Sequence, residues 1–342
     1  MRMLIIQAGA AATQLPAEAM VCHDVRNPAQ RTEVLARKGT TLRAEDIERL
    51  LARGVVEVHL ALPDAGDVLE NNAAARLAAA VCGPRVKAGE AQYGQASLIS
   101  SERGMLRVDA ARLDRVNAHD GVLLLTAEAD RPVDADTTLG VIKCAPLFLA
   151  ESTLVAVEEL ASVIEVEPFR SRRVGLVAPR ERLRGGAFDR ARTALSDALA
   201  WYGSRLDLVV GADETSVPAL SSAYQEVRQG GAELIMAAGA SGTDPLDVVF
   251  EGLRHAGGEV LQIGIPAEPG TACWIGRLDS IPVLGLASCE LFGQPGALDL
   301  LLPRLLTDEA LDRSLLRRLA YGGLLLGPSR VAPYHADKLA AE

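Results

Sequence analysis

From residue 174 onward the sequence keeps one rhythm. A short apolar run, a turn and a helix-length amphipathic run follow one another repeatedly. Residues 174–178, 206–210, 234–236 and 259–264 read as strands, and 188–202 and 217–229 as helices. Gly203 and Gly230-Gly231 stand just past the last periodic residues of those helices, where glycine ends a helix without steric cost. Alternating βα units leave few architectures open. The one expected is a mostly parallel sheet covered by helices on both faces. Residues 273–276 and 282–286 flank a turn at 278–280 and read as a hairpin. Helices over 297–306 and 308–321 close the chain. The expected fold class is therefore α/β, with a C-terminal three-layer domain over residues 169–342.

Within that rhythm, residues 234–247 run Leu-Ile-Met-Ala-Ala-Gly-Ala-Ser-Gly-Thr-Asp-Pro-Leu-Asp. The apolar start is a strand. The small residues that follow let backbone N–H groups approach a ligand, and glycine accepts φ > 0. Pro245 suits the first turn of a helix, which is expected to run through Val248, Phe250 and Leu253 to His255 and stop at Gly257-Gly258. A strand, a small-residue loop and a helix N-terminus together build an anion site, placed at the carboxyl ends of the strands in an open α/β sheet. Gly239 and Gly242 offer N–H groups there, and Ser241 and Thr243 add hydroxyl donors. Tight βα packing alone explains the same glycines. The stretch matches neither a P-loop nor a GxGxxG fingerprint. Asp244 and Asp247 are the candidate catalytic residues, and capping of the helix is the competing role for Asp244.

The first half reads differently. Residues 1–66 form a small α+β module: strands at 4–7, 21–25 and 55–60, and a short helix opening after Thr41 or Arg43 and closed by Gly54. Residues 67–168 form a β-rich region with helices at 69–82, 110–116 and 151–163, and strands at 96–99, 106–108, 122–126 and 141–143. The polar turn from Asn117 to Gly121 reads as a plain turn that can also border a site. Residues 167–173, with Arg170-Ser171-Arg172-Arg173, read as a solvated linker and the main boundary.

A formal net charge of −10 over 342 residues, with no basic stripe, argues against a nucleic-acid partner. Cys22, Cys82, Cys144, Cys273 and Cys289 are scattered, without a CxxC. This is the pattern of reduced thiols rather than of a disulfide frame or zinc knot. His23 lies in a Cys-His-Asp run on a candidate strand, whose adjacent side chains point to opposite faces, so a structural role is expected rather than a metal. No signal-length or membrane-length apolar run is present. The expected location is cytoplasmic, with no membrane partner.

Taken in order, residues 174–306 resemble the molybdopterin-binding domain of molybdenum-cofactor biosynthesis proteins, the family of molybdopterin adenylyltransferase, molybdopterin molybdenumtransferase and gephyrin. The resemblance is carried by residues 232–244, by Ala-Gly-Gly-Glu-Val at 256–260, by Pro269-Gly270, by Ile-Gly-Arg-Leu at 275–278 and by Ile-Pro-Val-Leu-Gly at 281–285. Three positions depart from the family pattern. Ala240 stands for a loop glycine, Thr271 for a lysine, and Ala287-Ser288-Cys289-Glu290 for Pro-Gly-Asn-Pro. The first half is loosely similar to a segment of the molybdenumtransferase, through Gly39-Thr40, Leu42, Asp46-Ile47, Leu50, Gly54-Val55 and Val58.

The resemblance implies molybdopterin or the molybdenum cofactor as ligand. Gly239, Ala240, Ser241, Gly242, Thr243, Pro269, Gly270, Ser288 and Cys289 would hold it. Asp244 and Asp247 would handle the metal or the phosphate end, with Mg²⁺ where phosphate must lie beside them. The implied role is in biosynthesis, maturation or delivery of the cofactor. A transferase acting on molybdopterin and a non-catalytic oligomerisation domain are the alternatives. A homo-oligomer and a molybdoenzyme or cofactor-synthesis partner follow from the same resemblance.

Overall fold

The computed structural model describes residues 1–8, 16–183, 185–213, 215–240, 242–287, 293–325 and 333–335. The chain divides into two compact units. The first takes Met1–Glu102, Leu106–Ala129 and Ala135–Val166, and the second takes Arg103–Met105, Asp130–Asp134 and Glu167–Glu342. The segments expected at 1–66 and 67–168 thus fall almost entirely within one unit.

In the first unit, Arg2–Gln7, Glu57–Leu62 and Met20–Val21 form an antiparallel sheet with Glu57–Leu62 at its centre. Helix Ala44–Ala52 buries Ile47 and Leu50 in the cluster that holds Ile6, Val58 and Leu60. Its first turn is tied by the Asp46 carboxylate, which accepts from the Arg43 N–H at 2.9 Å. Residues 21–25 are not one strand. Val25–Asn27 pairs instead with Gln30–Ala36 in a separate ribbon. That second strand opens on exposed Gln30, Arg31 and Thr32 and has no apolar alternation to betray it.

A second antiparallel sheet has the order Val122–Thr126, Thr138–Cys144, Gln95–Ser100 and Val86–Ala88. Its edge strand Val122–Thr126 explains Asn117. The Asn117 amide nitrogen donates to Leu124 O at 3.0 Å, and its oxygen accepts from Leu124 N at 2.7 Å. One side chain so occupies both backbone groups at the middle of an edge strand, where they would otherwise recruit another chain. The helix expected at 151–163 ends early, as Glu151–Glu158.

The second unit holds a six-stranded sheet. Its strands are β1 (Arg173–Pro179), β2 (Arg205–Ala212), β3 (Leu234–Ala238), β4 (Glu259–Ile263), β5 (Trp274–Leu278) and β6 (Ile281–Leu286). The order is β2-β1-β3-β6-β5-β4. β1 runs parallel to β2 and β3, and β3 parallel to β6. β5 is antiparallel to both β6 and β4, so five strands point one way. The helices are α1 (Gly185–Trp201), α2 (Val217–Gln229), α3 (Val248–His255), α4 (Ala297–Leu306) and α5 (Arg313–Leu319).

Strand alternation sorts these helices into two layers. Val174, Leu176, Leu234 and Met236 share a core with α1 (Leu195, Leu199), α4 (Leu301, Leu302) and α5 (Leu316, Leu319). Val177, Ile235 and Ala237 face the other way, into a core with α2 (Leu220, Tyr224, Val227) and α3 (Phe250, Leu253). The three-layer α/β expectation is met. α5 is shorter than expected because its cap is Asp312, whose side chain accepts from Leu315 N at 2.7 Å. The arginines at 170–173 do not form a free solvated linker. Arg170 pairs with Asp308 at 2.6 Å, Arg172 pairs with the same carboxylate, and Arg173 pairs with Asp207 at 2.6 Å. No described helix is long and apolar enough to cross a membrane.

Candidate functional site

The connections define where a site can lie. After β1 the chain leaves toward α1 on one face of the sheet, and after β3 it leaves toward α3 on the opposite face. β1 and β3 are neighbours. Their loops therefore part at the carboxyl ends and open a crevice there, the position where open α/β sheets bind ligands.

Gly239 is the first residue of the β3 loop and sits against β1. Its φ is +106°, and a Cβ added there would lie 2.7 Å from Pro179 Cγ. The glycine serves the fold directly, since it lets the chain turn in a conformation that L side chains avoid while touching the end of β1. Gly242 differs. Its φ lies outside the left-handed range, and among the described residues an added Cβ would meet Ile263 Cγ2 at 3.7 Å, an ordinary contact at the end of β4. The two glycines do not play equivalent roles. Ala240 is half-buried, and Gly242 and Thr243 are exposed. Ser241, Ser288 and Cys289 lie outside the described residues.

The helix after this loop starts later than Pro245 suggests. α3 opens at Val248, and Asp247 is its cap, its Oδ1 accepting from Val249 N at 2.9 Å. Asp244 does not cap it. Asp244 Oδ1 accepts from Leu246 N at 2.9 Å, and its carbonyl accepts from Asp247 N at 3.0 Å, so it closes a turn ahead of the helix. Asp247 outcompetes Pro245 as the start signal because its carboxylate satisfies an otherwise orphaned N–H. Beneath it lies Tyr224, which donates to Val249 O at 3.4 Å. Burial first, and the Asp247 charge second, push the Tyr224 hydroxyl far above the usual range, which keeps it a donor. Asp247→Ala should therefore cost about 0.5–2 kcal/mol of stability, and Asp244→Ala, in an exposed turn, within about 0.5 kcal/mol. Thermal melts of both variants check this, and a larger loss for Asp244→Ala would reverse the assignment.

Pro269 and Gly270 stand on the loop between β4 and β5. Pro269 O accepts from Ala297 N at 3.0 Å, and Gly270 O from Cys273 N at 2.9 Å. Gly270 has φ +116°. This loop is thereby joined to the N-terminus of α4, at the same edge of the sheet as residues 239–247.

Two further residues follow the neighbouring strands without any motif to mark them. Arg180, exposed, comes directly after β1 and reaches Gly211 O at 3.5 Å. Asp213 comes directly after β2 and accepts from Thr215 N at 2.9 Å and Thr215 Oγ1 at 2.7 Å. Those two bonds, with help from the Arg180 charge, hold the Asp213 carboxyl below its usual range. Their position at strand ends was the available signal. Among the described residues the arrangement offers a cation after β1, Arg180, a loop of small residues and two acids that each engage a backbone N–H. Among the described residues no group of three or more His, Cys, Asp or Glu side chains is arranged to hold a metal.

Solved structures similar to this chain include two molybdopterin biosynthesis proteins. The molybdopterin biosynthesis moea protein from Pyrococcus horikosii is 15% identical over 71% of this chain and 81% of its own, with a TM-score of 0.30. The molybdopterin biosynthesis Mog protein from Mycobacterium ulcerans is 17% identical over 41% of this chain and 99% of its own, also with a TM-score of 0.30. No protein-family model and no curated protein matches the chain. Likenesses this distant leave the activity to be argued from the chain's own residues.

Proposed function

We propose that the second unit binds molybdopterin or the molybdenum cofactor at the crevice between β1 and β3, and that the protein takes part in the biosynthesis, maturation or delivery of that cofactor. The observation that carries this reading is the loop at residues 239–243. It belongs to one of the segments that carry the resemblance to molybdopterin-binding domains, and it follows β3 at the carboxyl end of the sheet, with Gly239 against Pro179. Exposed Gly242 and Thr243 there suit an anion held by backbone N–H groups. Arg180 adds a positive charge beside the crevice.

Asp244 and Asp247 would repel a phosphate unless a cation lay between. Each engages a backbone N–H through one carboxylate oxygen. Mg²⁺ uses one or two carboxylates with phosphate oxygens and water, so the acids fit a metal brought in with its phosphate. The departures at Thr271 and Ala287-Ser288-Cys289-Glu290 favour a protein that holds or hands over the pterin. Retention of Asp244 and Asp247 favours the second reading, a transferase acting on molybdopterin. A cytoplasmic homo-oligomer serving a molybdoenzyme or a cofactor-synthesis partner belongs to the same proposal.

Anaerobic calorimetric titration of the whole protein with molybdopterin, with and without Mg²⁺, tests it. Saturable binding near one equivalent per chain is the expected result. Absence of binding would leave a scaffold or oligomerisation domain as the function. Turnover with molybdate or a nucleoside triphosphate would promote the transferase.

A further inference from the structure

The turn Pro333–His335 carries Tyr334 into a group of side chains at the end of α1 and on α4. The Tyr334 ring lies 5.9 Å from that of Trp201 and 5.8 Å from that of Tyr202. Tyr202 is itself packed edge-on at 4.8 Å against both Trp201 and Phe169. The Tyr334 hydroxyl donates to Asp299 Oδ1 at 2.7 Å. Asp299 is 3% exposed. Its second oxygen accepts from Gly296 N at 3.0 Å, at the N-terminus of α4. The next N–H, that of Ala297, donates to Pro269 O. A continuous path thus runs from the turn Pro333–His335, through one buried carboxylate, to the α4 N-terminus and the Pro269-Gly270 loop.

The chemistry of the path is directional. Burial pushes the Tyr334 hydroxyl well above its usual range, and the neighbouring Tyr202 and Asp299 add to the shift, so Tyr334 stays a proton donor. Asp299 accepts from the turn Pro333–His335 through one oxygen and from the helix end through the other. Beside it the buried Tyr202 packs its ring against Tyr334. The aromatic group and the carboxylate together hold the turn Pro333–His335 against α1 and α4.

We propose that Tyr334 is a latch: its docking on Trp201, Tyr202 and Asp299 holds the α4 N-terminus, and with it the Pro269-Gly270 side of the crevice, in the binding-competent arrangement. The coupling to ligand rests on the reading of the crevice given above. The latch itself does not, because its effect on the helix end is measurable without ligand.

Amide hydrogen exchange by mass spectrometry, on full-length wild type, Tyr334→Phe and Tyr334→Ala, tests it. Tyr334→Phe keeps the ring and removes only the hydroxyl. Both variants should lose protection at Gly296 to Asp299 by about tenfold or more, the fold-change of one hydrogen bond to a charged group, while peptides from β1 and β3 stay protected. Molybdopterin affinity should fall in the same order, wild type, Phe, Ala. Unchanged exchange at Gly296 to Asp299 in both variants would overturn the latch. Faster exchange there with unaltered affinity would overturn its coupling to the crevice. A wild type that binds no molybdopterin would instead be the failure of the proposed function, read before any variant is made.

Discussion

Gly285→Ala should destabilise the second unit by about 3 kcal/mol or more, the upper range for forcing atoms into a packed core. Gly285 lies on β6 and pairs with Ala237 of β3 on one side and Trp274 of β5 on the other. The Trp274 indole covers it. A Cβ built on Gly285 would fall 1.8 Å from Trp274 Nε1 and 2.1 Å from Cδ1. Neither partner can yield cheaply. The β6 backbone is hydrogen-bonded into the sheet on both edges. Trp274 is 1% exposed, and its ring meets Phe250 edge-on at 5.2 Å. With domain stabilities of about 5–15 kcal/mol, the loss removes a large part of what holds the unit folded. Thermal unfolding followed by circular dichroism should show the melting temperature down by about 10 °C. The double variant Gly285→Ala with Trp274→Leu should recover part of the loss, because coupled neighbours are not additive. A single variant melting within a degree or two of wild type would show that the indole does not lie on Gly285.

Glycine 285 illustrates what could and could not be read from the sequence. The strands and helices of the second unit were legible because their apolar residues repeat at two or at 3.6, and the two-sided core follows from that alone. Val174 and Leu176 against Val177, and Leu234 and Met236 against Ile235, sort themselves. The reason for a given glycine was not legible. Gly239, Gly242 and Gly285 are the same letter, yet one sits at positive φ against Pro179, one makes an ordinary contact with Ile263, and one lies under a tryptophan. The start of α3 was misplaced because Pro245 and Asp247 are both start signals, and only the hydrogen bond to Val249 decides between them. Arg180 and Asp213 carry no motif; topology alone brings them to the edge of the crevice. Asp299 and Tyr334 are 35 residues apart, with nothing in either neighbourhood to announce the other.

Gly242→Val should separate binding from folding. Valine at 239 would report on the fold, since its Cβ would strike Pro179 and its φ of +106° is strained for any side chain. At 242 the backbone is outside the left-handed range, and the nearest described atom to a new Cβ is 3.7 Å away. Substitution at an exposed, unstrained position is usually within about 0.5 kcal/mol, so Gly242→Val should melt with the wild type. If molybdopterin lies with its phosphate against residues 239–243, the added methyl groups take space that the ligand needs and screen N–H groups that would otherwise reach it. Affinity should then fall by about a hundredfold, or 2.7 kcal/mol, with Gly242→Ala giving a smaller loss of about tenfold. Anaerobic calorimetric titration, run beside the melts, reads both quantities on the same preparations. Wild-type affinity in Gly242→Val would mean that the loop serves only to pack β3 against α3. The ligand, if bound, would then have to be sought elsewhere on the protein.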